Sequence, residues 1–195
     1  EINYQSVGSG AGIQQVIKQT VFFGATDGPM TPEQMQTAPG KIMHFPTVLG
    51  AVVPVYNIPN VKNELKFSGP LLADIFLGKV GNWSDPAIKA INPTVKLPDA
   101  KIAIIRRSDG SGTTYNFTNY LSKASAEWKD KVGSDLLVKW PVGTGAKGND
   151  ATIAHGANSR AAMTGMPRMT PSSLRSRNPA APMSSDKPMK CRISQ

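Results

Sequence analysis

Between residues 2 and 143, short apolar runs alternate with segments whose apolar residues recur at helical spacing, and glycine- or hydroxyl-rich junctions separate the two. Apolar runs of a strand's length interleaved with amphipathic helices select an α/β fold over an all-helical or all-β one. INYQSV reads as a strand, GSGAG as a junction, and GIQQVIKQ as a helix with Ile13, Val16 and Ile17 on one face. VFFGAT reads as a second strand leading to Asp27. TPEQMQT then starts a helix, with Thr31 as cap, Pro32 in the first turn and Gln34 in capping-box position.

Residues 45–59, FPTVLGAVVPVYNIP, form a long apolar run interrupted by prolines, which suits strands crossing between two lobes better than one helix. A hinge is expected there, dividing part of a first α/β lobe (residues 1–50) from part of a second (residues 51–150). In the second lobe GPLLADIFLGK reads as a helix from Pro70 to Gly78, and SDPAIKAINP as a shorter one capped by Ser84. KIAIIRR is a buried strand. TTYNFTNYLSKASAEW is read as one helix with Phe117, Leu121, Ala124 and Trp128 on a stripe, and LLVKWPVG as the last strand.

Composition changes at residue 151. All 13 aromatic residues precede it, and the last 45 residues hold seven of the 22 Lys+Arg but one of the 13 acids. The net charge of +9 therefore belongs mostly to this tail and is a poor argument for a nucleic-acid-binding body. With Ile153, Leu174 and Ile193 as its only large aliphatic residues, the segment 151–195 is expected to be a disordered basic tail. RMTPSSLRSR and PMSSDKPMKCRISQ are read as a misread terminus rather than a nucleic-acid arm, because no aromatic is interleaved for stacking.

Residues 106–117, RRSDGSGTTYNF, lie at a strand-to-helix junction and carry the chemistry. A helix start exposes unpaired N–H groups at the positive end of its dipole and attracts anions. Here glycines allow close backbone approach, and Ser111 and Thr113 add hydroxyls. GSGAG offers a second such end with Ser9. Adjacent strand residues face opposite ways, so only one of Arg106 and Arg107 faces the same anion. Asp109 is placed to hold it by an ion pair. Asp27 repels an anion unless that anion brings a proton to share, which favours a protonated oxyanion such as phosphate over sulfate.

Other chemistries lack their parts. One cysteine, Cys191, and two distant histidines, His44 and His155, make no metal cluster, so no metal and no cofactor is expected. GTGAKG matches a dinucleotide-binding glycine pattern but is followed by no clear apolar stripe, and Arg168 stands where an acid is wanted. A phosphatase or phosphotransferase using Ser111 as nucleophile is the alternative, and it lacks a recognisable base. A binding protein, not an enzyme, is expected.

The stretches INYQSVGSGAG, FGATDGPM, FPTVLGAVVPVYNIP, LADIFLGKVGNWSDPAI, RRSDGSGTTYNFTNYL and VKWPVGTGAKGND are spread over residues 2–150. In this order they resemble the periplasmic phosphate-binding proteins of phosphate ABC transporters, which have two α/β lobes. The resemblance implies phosphate bound between the lobes by hydrogen bonds from Ser9, Asp27, Arg107, Ser111, Gly112 and Thr113, with Asp109 pairing Arg107. It implies delivery to a membrane permease, a periplasmic location and no nucleic-acid partner. The family begins with a further strand and a phosphate-touching loop, and it continues past GND into the rest of the second lobe. This chain is therefore expected to be an incomplete two-lobed fold whose residues after 150 are read out of frame.

Overall fold

The computed structural model describes residues 3–61, 63–159 and 161–168, with the backbone alone at 166–168. Chain order is α1 (Ser9–Ile17), α2 (Pro32–Gln36), β1 (Ala51–Asn57), α3 (Gly69–Phe76), α4 (Pro86–Ile91), β2 (Ala103–Arg107), α5 (Gly112–Ala124), α6 (Ala126–Lys131), β3 (Thr144–Ala146), α7 (Gly148–Asn158) and β4 (Ala162–Arg168). One four-stranded sheet runs β1-β4-β2-β3, with β4 antiparallel to β1 and parallel to β2, and β3 parallel to β2. The α/β reading holds.

Several helix signals act as the sequence says. Thr31 and Gln34 exchange side-chain and backbone hydrogen bonds at 3.2 and 3.0 Å, a complete capping box for α2. α3 stops at Gly78, whose φ of 82° is the left-handed conformation that ends a helix. α4 is capped one residue later than expected, by Asp85, whose Oδ1 accepts the Ala87 N–H at 2.8 Å. The long helix expected from Thr113 to Trp128 divides at Ser125, which is extended and accepts the Trp128 N–H to start α6.

The core lies between the sheet and α3, α5 and α6. Leu72, Ile75 and Phe76 meet Phe117, Leu121 and Trp128, with Phe76 and Phe117 edge to face at 4.8 Å. Trp83 is fully buried and donates its indole N–H to Ala161 O at 2.9 Å, tying α4's approach to the start of β4.

Three strand expectations need correcting. Residues 3–7 of INYQSV and all of VFFGAT form no strand, because the sheet is assembled from residues 51–168 and no described strand pairs with either segment. Their apolar residues, and those just before β1, stay in solvent: Phe22 is 108% exposed, Leu49 96% and Val48 84%. LLVKWPVG is not a strand either. Its Trp140 leaves the sheet direction to stack against Phe76 and Trp128, each 5.9 Å away, and pairing with β2 begins only at Thr144.

The expected disorder from residue 151 is also corrected. α7 carries the chain to Asn158, and β4 sits inside the sheet, in register with β1 from Ala51↔Arg168 to Asn57↔Ala162. Counting large aliphatic residues missed this, because the segment is buried by small and flexible ones. Ala162 and Met163 are essentially inaccessible, and Thr152 is buried with its hydroxyl donating to Gly148 O at 2.7 Å. The remainder of that expectation, residues 169–195, lies outside the described residues.

Candidate functional site

β2 ends at Arg107 and α5 begins at Gly112, so the four residues between them form the junction singled out in the sequence. Ser111 is the N-cap, and its Oγ accepts the Thr114 N–H at 3.2 Å. The Ser111 N–H donates to Leu136 O at 2.8 Å, and the Tyr115 N–H to Ser111 O at 3.1 Å. This leaves the Gly112 and Thr113 N–H groups, at the positive end of a 13-residue helix, without an acceptor among the described residues. The Ser111 hydroxyl proton is likewise free to point outward, since the capping bond uses only its oxygen.

The start of α1 faces this junction. Gly8, with φ 86°, is its N-cap, and the Gly10 N–H donates to Gly110 O at 3.0 Å. The two glycine-rich loops touch backbone to backbone: a Cβ on Gly10 would lie 3.0 Å from the Gly110 Cα. Ser9 is buried, and its Oγ accepts the Asp27 N–H at 3.2 Å. Asn116 of α5 donates to Asp27 O at 3.0 Å, so the Asp27 backbone is held from both helices. Gly112 closes the arrangement, since a Cβ there would stand 2.6 Å from Ser9 Oγ and 2.5 Å from Asp27 Cβ. Ser9, Asp27 and the start of α5 therefore share one small space.

Arg107 is the buried cation beside it, 6% exposed. Its Nε donates to Asp109 Oδ1 at 2.6 Å and its Nη2 to Asp109 Oδ2, a two-point grip. Burial pushes the Asp109 carboxyl up. The Arg107 hydrogen bonds and charge, with the Gly148 N–H at 3.1 Å, outweigh this and hold it below the usual carboxylate range. Arg106 points elsewhere, toward Arg107 O and Gly145, as strand alternation requires.

All seven residues singled out in the sequence, Ser9, Asp27, Arg107, Asp109, Ser111, Gly112 and Thr113, lie at this meeting of α1 and α5. One participant escaped sequence reasoning. Asn149, in the first turn of α7, accepts a hydrogen bond from Arg107 Nη1, 42 residues away in sequence. Its signal in the sequence was its place in VKWPVGTGAKGND, a stretch that carries the family resemblance but in which no site residue was singled out. Asn149→Ala is expected to weaken anion binding about ten- to a hundredfold, the worth of one hydrogen bond to a charged group, while secondary structure is retained. Titration beside circular dichroism checks this.

The His44 Nε2 accepts the Met30 N–H at 3.3 Å and is not hydrogen-bonded to Ser111. Among the described residues, no group of three or more His, Cys, Asp or Glu is placed to hold a metal ion. Two facing helix ends and an arginine clamped by Asp109 and Asn149 lie together here, the kinds of group that attract anions.

A family model for a PBP superfamily domain matches residues 1–178. The chain belongs to that superfamily. The match runs through α7 and β4, in keeping with β4's place in the sheet. Among curated proteins, the phosphate-binding protein PstS of Haemophilus influenzae is 53% identical over 156 residues, 80% of this chain and 46% of that protein. PstS of Pasteurella multocida is 51% identical over 156 residues, with 80% and 45% covered. The chain thus spans about half the length of these relatives. A solved structure described as a DING protein superposes with a TM-score of 0.68 at 21% identity, over 82% of this chain and 48% of that one, which shows the shared fold.

Proposed function

We propose that this PBP superfamily chain carries one face of a phosphate site and belongs to the binding component of an ABC-type importer. In that role it binds inorganic phosphate between lobes in the periplasm and delivers it to the membrane permease without chemical turnover. The observation that carries this reading is the packing of Gly112 against Ser9 Oγ and the Asp27 Cβ, which brings a residue bearing a carboxylate beside the start of α5. An acceptor at such a place suits an oxyanion that retains a proton and penalises one that does not. Supporting it are the two PstS relatives above, both named as phosphate-binding proteins.

Ser9 and the α5 amides then take phosphate oxygens, Arg107 supplies charge through the N–H groups that Asp109 and Asn149 leave free, and Ser111 and Thr113 add hydroxyls. Asp27 accepts the phosphate proton. Lobe closure around the anion is the motion that couples binding to delivery. Calorimetric titration of the 195-residue chain at neutral pH tests the proposal. Saturable phosphate binding is expected, with sulfate bound at least about tenfold more weakly, and Asp27→Asn is expected to erase most of that difference. Equal affinity for the two anions in the wild-type chain, or no binding by the folded chain, overturns it.

A further inference from the structure

Four buried side-chain polar atoms have no hydrogen-bond partner among the described residues: Arg106 Nε, Ser122 Oγ, Trp140 Nε1 and Thr164 Oγ1. Three of these four residues, Arg106, Trp140 and Thr164, line one crevice between β2, β4 and the first turn of α5. Native interiors rarely leave such atoms unmet, and three around one space point to an occupant. An indole N–H and an arginine Nε–H only donate, and a threonine hydroxyl donates or accepts. The occupant must therefore be an acceptor.

Two further observations narrow its nature. The other tryptophans have carbonyl acceptors, Trp83 with Ala161 O at 2.9 Å and Trp128 with Gly133 O at 3.0 Å, so Trp140 is the indole left over among the described residues. Arg106 forms no ion pair with any described carboxylate, unlike its neighbour Arg107, so its charge is uncompensated from within the described protein. Thr164 is 4% exposed, and Phe76 and Phe117 close the apolar side of the crevice. The space is small and its wall is mixed, with Arg107, Thr113 and Thr114 also lining it.

We propose that this crevice is a binding site for one small hydrogen-bond acceptor, a halide ion or a single water, held by Arg106 Nε–H, Trp140 Nε1–H and the Thr164 hydroxyl. Both candidates satisfy the donors, and a water also gives a proton to Thr164 Oγ1. The crevice adjoins the oxyanion site, with Arg107 and Thr113 in both linings, but its three unmet donors, on Arg106, Trp140 and Thr164, take no part in that site. Its occupant joins β2 to β4 and to the loop before β3, behind the helix end that carries the Gly112 and Thr113 amides.

The test uses the indole N–H signals of the nitrogen-15-labelled 195-residue chain, recorded in chloride-free buffer and during a chloride titration. For a water, the Trp140 proton is expected to exchange slowly and to show cross-relaxation to a long-lived water, unchanged by chloride. For a halide, it shifts saturably with chloride. In either case Thr164→Val removes the signature, and Ser122→Ala, which deletes the one unpartnered atom outside the crevice, leaves it intact. A Trp140 proton that exchanges as fast as an exposed indole and ignores chloride overturns the proposal, as does a signature identical in Thr164→Val. If Thr164→Val does not fold, the wild-type exchange rate and chloride response decide alone.

Discussion

Gly112→Ala is expected to abolish phosphate binding, weakening it by about a hundredfold or more, while leaving the helical content unchanged. The added Cβ would stand 2.5 Å from Asp27 Cβ, 2.6 Å from Ser9 Oγ and 2.9 Å from Asp27 Cα. The last contact is with backbone, so no rotamer change relieves it, and the Asp27 segment and the start of α5 must part. Hydrogen bonds to a bound oxyanion weaken steeply with such a displacement, and several are lost together. Alanine itself suits the first turn of a helix, so α5 has no reason to unravel. Gly40→Ala serves as control, because a Cβ there meets nothing within 4 Å. Titration calorimetry and far-ultraviolet circular dichroism on both variants read the result. Phosphate affinity kept within a few-fold in Gly112→Ala would show that the Asp27 segment is not part of the site.

Asp109→Ala is expected to be the most destabilising change near the site, at about 3–5 kcal/mol, because it strands a buried guanidinium. Arg107 gives Asp109 both its Nε–H and an Nη2 proton, and Asp109 in turn holds the Gly148 N–H at 3.1 Å. Removing the carboxylate therefore loosens the end of β2 and the start of α7 at once. The same pair makes stability depend on acid. The folded-state value of Asp109 lies below that of a free carboxylate, so its contribution is fully present above the unfolded value and is lost as pH falls through the lowered folded one. Denaturant midpoints measured from neutral to acidic pH should fall in the wild-type chain, and that part of the fall should vanish in Asp109→Asn. An unchanged acid slope in Asp109→Asn would remove this pair from the account.

What the sequence revealed and what it hid follow from how far apart the partners are. The Thr31–Gln34 box and the Gly78 stop depend on neighbours three or four residues away, and both could be read directly. The strand-to-helix junction at 106–117 was legible for the same reason, because glycines, hydroxyls and a helix stripe sit side by side. Asn149 was not, since its contact with Arg107 exists only after β3 has aligned beside β2. β4 hid differently. Ala162, Met163 and Thr164 give no hydrophobic period, yet backbone pairing on both sides makes the segment a strand. INYQSV and VFFGAT gave the opposite error, because apolar content alone supplies no partner for a strand's N–H and C=O groups.

The position of β4 also sets an order of events during synthesis. β1 lies at the sheet edge and pairs only with β4, the last described element, so Ala51 must wait for Arg168 before its ladder can close. Until then a newly made chain holds a hydrophobic strand with no neighbour, while β2 and β3 can already align. Such distant pairing slows folding and lengthens the time that an open edge is available to other molecules. A ribosome that stopped before residue 162 would release a chain whose β1 remains unmatched, and which presents the pattern that chaperones and proteases recognise as unfinished.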